Sequence, residues 1–384
     1  MGKNLVVCCD GTANEISKDL TNVVKLFSTL IQDPTRQVAY YHPGLGTMEA
    51  PGALTPIARR ITRLLGTAFG YGLKADIQNA YLFLMANFEP GDHVFLFGFS
   101  RGAYTVRAVA ALLHMYGLIR RGNETLVPYA LRMLMAKQAA QKRRRGAATF
   151  APAFDLADRF RGIFTTTTCK PHFVGLWDTV SSIGWYDNPL SLPFTAENPD
   201  VQISRHAIAI HERRAFFRTN LWMPKAPPAD TGPKDLQQVW FTGAHSDIGG
   251  GYPERESGLS KITLEWMLSE AVVAGLLVDD AMAQRVLGRA DVAYASPDPN
   301  GILHRSLTLA WWPAEFLWKR HYDWSRRQWR RRMNLGRRRT IPPNALIHHT
   351  AFDRADGSQA ADFPPTAVKV TGPGLAHPSS ARQP

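Results

Sequence analysis

Cysteine is scarce in this sequence, and long apolar runs are missing. Its three cysteines, Cys8, Cys9 and Cys169, do not suggest a disulfide framework. Cys8 and Cys9 lie together in a short apolar run that begins at Leu5, so we interpret them as small buried strand residues. No stretch approaches the ~20 apolar residues of a membrane span, and the first run is too short for a signal peptide. We therefore expect a cytoplasmic protein, soluble or peripheral at a membrane, without a Sec signal.

Metal-binding signatures and internal repeats are also missing. The sequence contains no H-E-x-x-H motif and no paired-cysteine motif, so we expect neither a metal nor another cofactor. With 384 residues, 45% of them hydrophobic, the chain can bury a large core. We assign residues 1–354 to one domain. Residues 355–384 are rich in Ala, Pro, Gly and Ser, and we expect a disordered tail there.

Positive charge is concentrated in one part of the chain. The net charge is +13, and residues 310–340, here called the basic segment, hold ten Lys or Arg against Glu315 and Asp323. The same segment is rich in tryptophan. Its aromatic residues either pack on the core with the arginines in solvent, or dock at a membrane surface through Trp311–Arg339. Single-stranded nucleic acid is the least favoured partner, because no groove-binding motif accompanies the segment.

Strand and helix patterns alternate along the chain. Five short apolar segments predict buried strands: Leu5–Cys9, Gln37–Tyr41, His93–Phe99, His172–Trp177 and Gln238–Thr242. Helical patterns lie at Asn22–Ile31, Leu73–Phe88, Gly102–Met115, Leu126–Lys137, Ile203–Phe217 and Lys261–Leu277. This alternation predicts an α/β fold with a mostly parallel central sheet covered by helices on both faces. Residues 122–168 read as a helical insertion or cap after the third helix.

The sequence Gly98-Phe99-Ser100-Arg101-Gly102 matches the G-x-S-x-G nucleophile elbow. An apolar strand precedes it and a helix-forming run follows it. The motif predicts a sharp turn that exposes the Ser100 hydroxyl at the carboxyl edge of the sheet, with Gly98 and Gly102 leaving room for close backbone approach. The N–H of Arg101 would then face a developing oxyanion. The alternative is a simple tight turn in which Ser100 caps the helix.

A second oxyanion donor is expected from the loop after another strand. Gly11 and Thr12 follow the first predicted strand and are the candidates. Asp10 would orient this loop or the serine region. Alternatively, Asp10 and Thr12 only cap the helix that begins near Thr21.

A serine nucleophile needs a base, and the base needs a carboxylate that orients it. Asp178 directly follows the strand His172–Trp177, and His245 follows the strand Gln238–Thr242 in a glycine-rich loop. We predict that they complete a Ser–Asp–His triad with Ser100, in the chain order of this fold. Either residue is also compatible with a structural turn.

Other histidines and acids compete for these roles. His206 and His211 lie in a helical pattern and read as helix residues. His348 and His349 are the main rivals of His245 for the base. Asp247 rivals Asp178, but its position near His245 leads us to expect that it shapes the loop or contacts substrate.

Four segments together resemble one protein family. They are Cys9-Asp10-Gly11-Thr12-Ala13-Asn14, Gly98-Phe99-Ser100-Arg101-Gly102-Ala103, Leu176-Trp177-Asp178-Thr179-Val180 and Gly243-Ala244-His245-Ser246-Asp247-Ile248-Gly249-Gly250-Gly251-Tyr252. In this order they resemble the DUF2235 hydrolases, which include the catalytic domain of Tle1-type phospholipase effectors of type VI secretion. The resemblance implies an α/β-hydrolase fold with Ser100, Asp178 and His245 as the triad. It also implies phospholipid esters as substrates and leaves effector-type export open.

From these observations we predict a serine hydrolase that cleaves carboxylic esters through an acyl-enzyme. Lipid esters are the favoured substrates, mostly because of the family resemblance. The alternatives on the same fold are a small-ester esterase, a thioesterase or a peptidase. A further alternative is a protein without catalysis that binds membranes or nucleic acid on a degenerate hydrolase scaffold.

Overall fold

The computed structural model describes residues 2–11, 19–44, 69–143, 151–180, 184–185, 188–189, 192–223, 231–324, 326, 328–354 and 363–373. The strands are β1 (Asn4–Cys9), β2 (Gln37–His42), β3 (His93–Phe99), β4 (Leu118–Ile119), β5 (Thr165–Thr167), β6 (Pro171–Trp177), β7 (Gly184–Trp185), β8 (Asn188–Pro189), β9 (Ile203–Ala209), β10 (Asp235–Phe241), β11 (Lys319–Asp323), β12 (Gln328–Arg332), β13 (Leu346–His348) and β14 (Val368–Val370). The α-helices are α1 (Asn22–Thr29), α2 (Phe69–Asn87), α3 (Arg101–Tyr116), α4 (Val127–Arg143), α5 (Ala151–Phe164), α6 (His245–Gly249), α7 (Gly258–Val273), α8 (Asp280–Val286) and α9 (Trp312–Glu315).

Eight strands form the central sheet in the order β14-β13-β10-β9-β6-β3-β1-β2. Every neighbouring pair in it is parallel. Three two-stranded pairs, β4–β5, β7–β8 and β11–β12, lie outside it. The chain passes from β2 at one edge across β1 to β3 and then continues in the other direction. This reversal places a topological switch point at the carboxyl ends of β1 and β3, where open α/β sheets bind their ligands.

The sheet separates two hydrophobic core layers. In β1, Leu5 and Val7 belong to one layer, and Val6 and Cys8 belong to the other. This division follows from the alternation of side chains along a strand. Helices α2, α3, α4 and α5 cover the first face, and α1, α7 and α8 cover the second. The predicted α/β architecture with helices on both faces is therefore confirmed.

The prediction of a helical pattern over Ile203–Phe217 is wrong. Residues Ile203–Ala209 form β9, a central strand between β6 and β10. Its polar side chains are buried with partners: Ser204 Oγ donates to a carbonyl oxygen at 3.2 Å, and Arg205 pairs with Glu270 at 2.6 Å. Because these pairs satisfy the buried polar groups, the strand tolerates residues that disguise it in the sequence.

The prediction of a disordered tail from residue 355 is wrong at Val368–Val370. These residues form β14, which pairs in parallel with β13 at the edge of the central sheet. A strand of three residues needs only a free sheet edge, so composition does not reveal it. Residues 355–362 and 374–384 lie outside the described residues.

The region predicted as a helical insertion contains α4 and α5. At its end the short strand β5 pairs antiparallel with β4.

Within the described ranges, no helix is both long and apolar enough to cross a membrane.

Candidate active site

Polar residues follow the carboxyl ends of five neighbouring strands. Asp10 follows β1, Ser100 follows β3 and Asp178 follows β6, while Glu212 and His245 lie just beyond β9 and β10. Because parallel strands end at the same edge of a sheet, these side chains lie in one region. All five are buried, including Ser100, whose residue surface is 8% exposed.

Ser100 occupies the sharp turn that the motif predicts. Its backbone dihedral angles are φ 58° and ψ −117°, a strained conformation for a residue with a Cβ. A Cβ on Gly98 would lie 2.5 Å from the Gly102 carbonyl group, and one on Gly102 would lie 2.1 Å from the carbonyl oxygen of Cys9. The two glycines therefore allow β3, α3 and the end of β1 to approach closely.

The structure brings Ser100, His245 and Asp178 together in a hydrogen-bonded chain. His245 Nε2 lies 2.8 Å from Ser100 Oγ, and His245 Nδ1 lies 2.5 Å from Asp178 Oδ2. An ionised carboxylate accepts only, so Nδ1–H donates to Asp178 and Nε2 is left to accept the serine proton. This order of contacts is the one that general-base activation of a serine requires.

The electrostatics of the site keep the carboxylate ionised and the imidazole neutral. Burial alone would raise the pKa of Asp178, but Arg339 and His245 outweigh it and hold that pKa well below its usual range. Burial lowers the pKa of His245 below its ordinary value, although Asp178 acts in the opposite direction. At neutral pH, His245 is therefore available as a base.

Arg339 is a site residue that the sequence analysis missed. Its Nη1 donates to Asp178 Oδ1 at 2.5 Å and its Nη2 donates to Asp178 Oδ2 at 3.0 Å. The guanidinium also donates to the carbonyl oxygens of Ala209 and Phe217. Such a two-pronged contact fixes both the charge and the orientation of the carboxylate. Nothing in the sequence distinguishes Arg339 from its neighbours Arg337 and Arg338.

Glu212 is the second missed residue. Its carboxylate accepts from the backbone N–H of His245 at 3.2 Å and from the side chains of Arg214 and Ser306, both at 2.9 Å. Burial would raise the pKa of Glu212, but Arg214 lowers it to about 2. The charged carboxylate thus anchors the start of α6. If β9 had been recognised as a strand, Glu212 would have been a candidate site residue, because it lies just past the carboxyl end of that strand.

The expected oxyanion donors are only partly described. Arg101 begins α3 directly after Ser100, so its N–H belongs to the first turn of that helix. The N–H of Gly11 donates to Asp10 Oδ1 at 2.6 Å. An oxyanion that used this N–H would therefore compete with the carboxylate. Thr12 lies outside the described residues.

Asp10 and Asp247 each hold a loop beside the site. Asp10 Oδ2 accepts from Thr21 Oγ1 at 2.5 Å and from the Tyr41 hydroxyl at 3.1 Å. Asp247 accepts from the N–H of Ala244 at 2.8 Å and contacts His304 Nδ1 at 2.6 Å. Asp247 thus braces the turn that carries His245, and it lies in the network of His304 rather than in the position of Asp178.

The competing histidines lie elsewhere. His206 Nε2 accepts from the N–H of Thr179 at 3.2 Å, and His211 Nδ1 accepts from a backbone N–H at 3.1 Å. His348 contacts Thr350 Oγ1 at 2.9 Å, and His349 contacts Asp353 at 2.9 Å. These hydrogen bonds join the four side chains to groups other than Ser100.

The basic segment divides between packing and exposure. Trp311 packs edge-on against Phe217, whose ring lies 4.8 Å from that of His245. Lys319 is buried, with its Nζ 3.0 Å from the centre of the Phe216 ring. In contrast, Trp318 and Trp329 are 55% and 61% exposed. One side of the segment therefore supports the site, while the other presents aromatic surface to solvent.

Comparisons with known proteins place this chain in a family. An uncharacterized protein of Saccharomyces cerevisiae is 34% identical over 231 residues, which cover 58% of this chain and 33% of the yeast protein. Two solved structures also match part of this chain. One is an uncharacterized protein from Pseudomonas aeruginosa, with 18% identity and a TM-score of 0.42 over 75% of this chain and 48% of that one. The other is the Tle1 effector bound to the VgrG spike of the type VI secretion system, with 20% identity and a TM-score of 0.33 over 67% and 52%.

This chain spans about a third of the yeast protein and about half of each solved chain. The family model of the type VI secretion phospholipase effector Tle1-like catalytic domain matches residues 3–270, which include Ser100, Asp178 and His245. The chain therefore belongs to the Tle1-like catalytic domain family.

Proposed function

We propose that this chain is a serine hydrolase that cleaves carboxylic-ester bonds of phospholipids through an acyl-enzyme. The observation that carries the proposal is the continuous contact from Ser100 Oγ through His245 to Asp178, placed on a strained elbow at the carboxyl edge of the sheet. The family description, which names phospholipase effectors, supports lipid esters as the substrate class.

In the first half of the reaction, His245 Nε2 takes the proton of Ser100 Oγ as that oxygen attacks the ester carbonyl carbon. The carbonyl oxygen becomes an oxyanion, which we assign to the N–H of Arg101 and a second donor from Gly11 or Thr12. His245 then gives the proton to the departing alcohol oxygen as the carbon–oxygen bond breaks. The products are an acyl ester on Ser100 and a free alcohol.

In the second half, water attacks the acyl carbon while His245 removes its proton. The fatty acid leaves and the proton returns to Ser100. Asp178 stays ionised throughout and stabilises the imidazolium that forms twice in the cycle. Arg339 acts as a positioning residue, because its hydrogen bonds are with Asp178 and with backbone carbonyl oxygens rather than with the reacting atoms.

We assign peripheral membrane contact to the exposed face of the basic segment. Trp312, Phe316 and Trp318 are 37%, 55% and 55% exposed. Aromatic side chains of this kind favour the bilayer interface, and the neighbouring arginines favour anionic headgroups.

For localisation, we propose delivery as an effector, because the family description names effectors. Detection of the protein outside the producing cell would test it.

Turnover of defined esters tests the proposed reaction. We expect the wild-type protein to release fatty acid from diacyl phospholipids, and Ser100→Ala to lower kcat at least about ten-thousandfold. Ser28→Ala is the matched control, since this α1 serine donates to the Lys25 carbonyl oxygen of its own helix. Turnover of thioesters, peptides or short esters without phospholipid cleavage would reject the lipid assignment. Equal phospholipid turnover by wild type and Ser100→Ala would reject the serine mechanism.

A further inference from the structure

A cleft lies beside the hairpin of β11 and β12, outside the triad. Its volume is about 590 Å³. Four arginines line it: Arg330, Arg331, Arg332 and Arg337. The carboxylate among the lining residues belongs to Asp323, whose Oδ2 is 3.9 Å from Arg330 Nε. The lining therefore carries an excess of positive charge.

Two polar atoms of the cleft residues are buried without a hydrogen-bond partner. They are Arg332 Nε and His321 Nε2, which have no hydrogen-bond partner among the residues that the structure describes. Burial, together with the nearby positive charges of Arg218 and Arg332, lowers the pKa of His321 to about 4. The unpartnered Nε–H of Arg332, in surroundings positive enough to lower the pKa of a histidine, indicates a place where an anion would be stabilised.

Aromatic side chains accompany the arginines. Tyr322 and Trp324 line the cleft, with their ring centres 4.7 Å apart. Trp329, the partner of Tyr322 across the hairpin, is 61% exposed. Trp318 is 55% exposed and directly precedes Lys319, the strand partner of Arg332. The positive cleft and the exposed aromatic residues thus belong to the same hairpin.

We propose that this cleft is a second site, which binds the phosphate group of an anionic ligand. Guanidinium groups match phosphate oxygens with two parallel hydrogen bonds, and several arginines share the charge of one phosphate. The exposed Trp318 and Trp329 favour a phosphate carried by a lipid headgroup, because tryptophan prefers the membrane interface. The lipid source rests on the proposed function, whereas the anion site does not.

The position of the cleft connects it to the triad. Arg337 and Thr340 line the cleft, and between them Arg339 holds Asp178. A phosphate gripped by Arg337 would therefore touch the short chain segment that also orients the catalytic carboxylate. Contact with a lipid surface would therefore act on the segment from Arg337 to Thr340, which positions Asp178 through Arg339.

Binding measurements on the full chain carrying Ser100→Ala test the site without consuming lipid. The probes are phosphatidylcholine vesicles with phosphatidic acid, the same vesicles with oleic acid in its place, and inorganic phosphate in solution. The test variant adds Arg330→Gln and Arg337→Gln, two exposed cleft residues. The matched control instead adds Arg36→Gln and Arg159→Gln, which remove the same charge from exposed positions before β2 and in α5.

We expect the cleft variant to bind phosphatidic acid vesicles roughly thirtyfold more weakly. Each lost arginine should weaken binding by about 1 kcal/mol, and about 1.4 kcal/mol corresponds to a tenfold change in affinity. The control pair should change binding by less than about threefold, and oleic acid vesicles should bind more weakly than phosphatidic acid vesicles. Equal losses in both pairs, or equal binding of both vesicle types, would overturn the phosphate site. If the cleft variant loses binding only to inorganic phosphate, the phosphate site stands and the lipid source is rejected. Because binding is measured without Ser100, these outcomes are separate from failure of ester hydrolysis.

Discussion

At Asp178, the Arg339 guanidinium and the His245 imidazole share one fully buried carboxylate. Arg339 contacts both carboxylate oxygens, and His245 contacts one of them. Removal of one partner from a buried ion pair leaves an uncompensated charge, which costs about 3–5 kcal/mol. Arg339 therefore does two things: it stabilises the folded chain, and it fixes the oxygen that orients the imidazole.

The first prediction concerns Arg339. We expect Arg339→Gln to lower kcat by about tenfold to a hundredfold and to raise the pKa of His245, because Asp178 then has only the imidazole to neutralise it. Arg339→Lys keeps the charge and should recover part of kcat and most of the pH profile. A merely structural role would change the thermal unfolding temperature in both variants and leave the pH profile of the folded fraction unchanged.

The second prediction concerns pH. The unprotonated form of His245 is the base, and burial places its pKa below the ordinary value. The ordinary histidine pKa is about 6.5, so kcat/KM should rise with pH and reach half its maximum below about pH 6.5. Initial rates on a soluble short-chain ester, measured between about pH 4 and pH 8, give the pH at which kcat/KM reaches half its maximum. A midpoint clearly above the ordinary value would contradict the assignment of His245 in this environment.

At the scale of elements, the site depends on how closely β1, β3 and α3 approach. Gly102 is the contact point, since an added Cβ would lie 2.1 Å from the carbonyl oxygen of Cys9 and 2.5 Å from that of Asp10. Both neighbours are backbone atoms at the end of β1. They cannot yield by a side-chain rotation, so the helix or the strand must move.

The third prediction uses this contact. Gly102→Ala should lower the free energy of unfolding by about 1–3 kcal/mol and reduce kcat, because the displaced helix carries the elbow with it. Gly162→Ala is the matched control: that glycine lies in α5, and among the described residues no atom outside its own helix backbone lies within 4 Å of an added Cβ. Urea unfolding and ester turnover of the two variants test the contrast. Equal effects of the two substitutions would show that the approach of β1 to α3 is unimportant.

The sequence was most informative where strands are apolar over most of their length. β1, β3 and β6 run through the centre of the sheet with nearly all of their side chains buried, so each contains an apolar run that is followed by a polar residue. The same rule pointed to Asp10, Ser100 and Asp178. β9 escaped it because Arg205 and His206 interrupt the apolar run, and only the fold supplies the partners that make their burial acceptable.

The sequence did not reveal Arg339 and Glu212 as site residues, for two different physical reasons. Arg339 lies in a run of three arginines, and its role depends on a contact with a residue 161 positions away. Glu212 follows β9, so the error over that strand concealed it. Local patterns specify strands and turns, whereas the partners of buried charges are set by long-range packing that the pattern does not contain.

At the scale of the whole molecule, a parallel sheet gathers side chains from distant parts of the chain at one edge. Consecutive neighbours β1, β3, β6, β9 and β10 each contribute a polar residue there. The basic segment then returns to this edge through Arg339, and it presents its arginine cleft and exposed tryptophans on the outside. The fold thus joins the buried Ser100–His245–Asp178 chain to a positively charged outer surface, and we propose that these two parts cleave the ester and bind the headgroup of a lipid.

In the mechanism that we propose, Ser100 is an activated nucleophile. Treatment of the folded wild-type chain with a fluorophosphonate probe, followed by mass spectrometry of its peptides, tests this claim most directly. We expect a single adduct on Ser100, which disappears in Ser100→Ala and forms much more slowly in His245→Ala. Folded wild-type protein that remains unlabelled at Ser100, or that is labelled at another residue as strongly in Ser100→Ala, would contradict it.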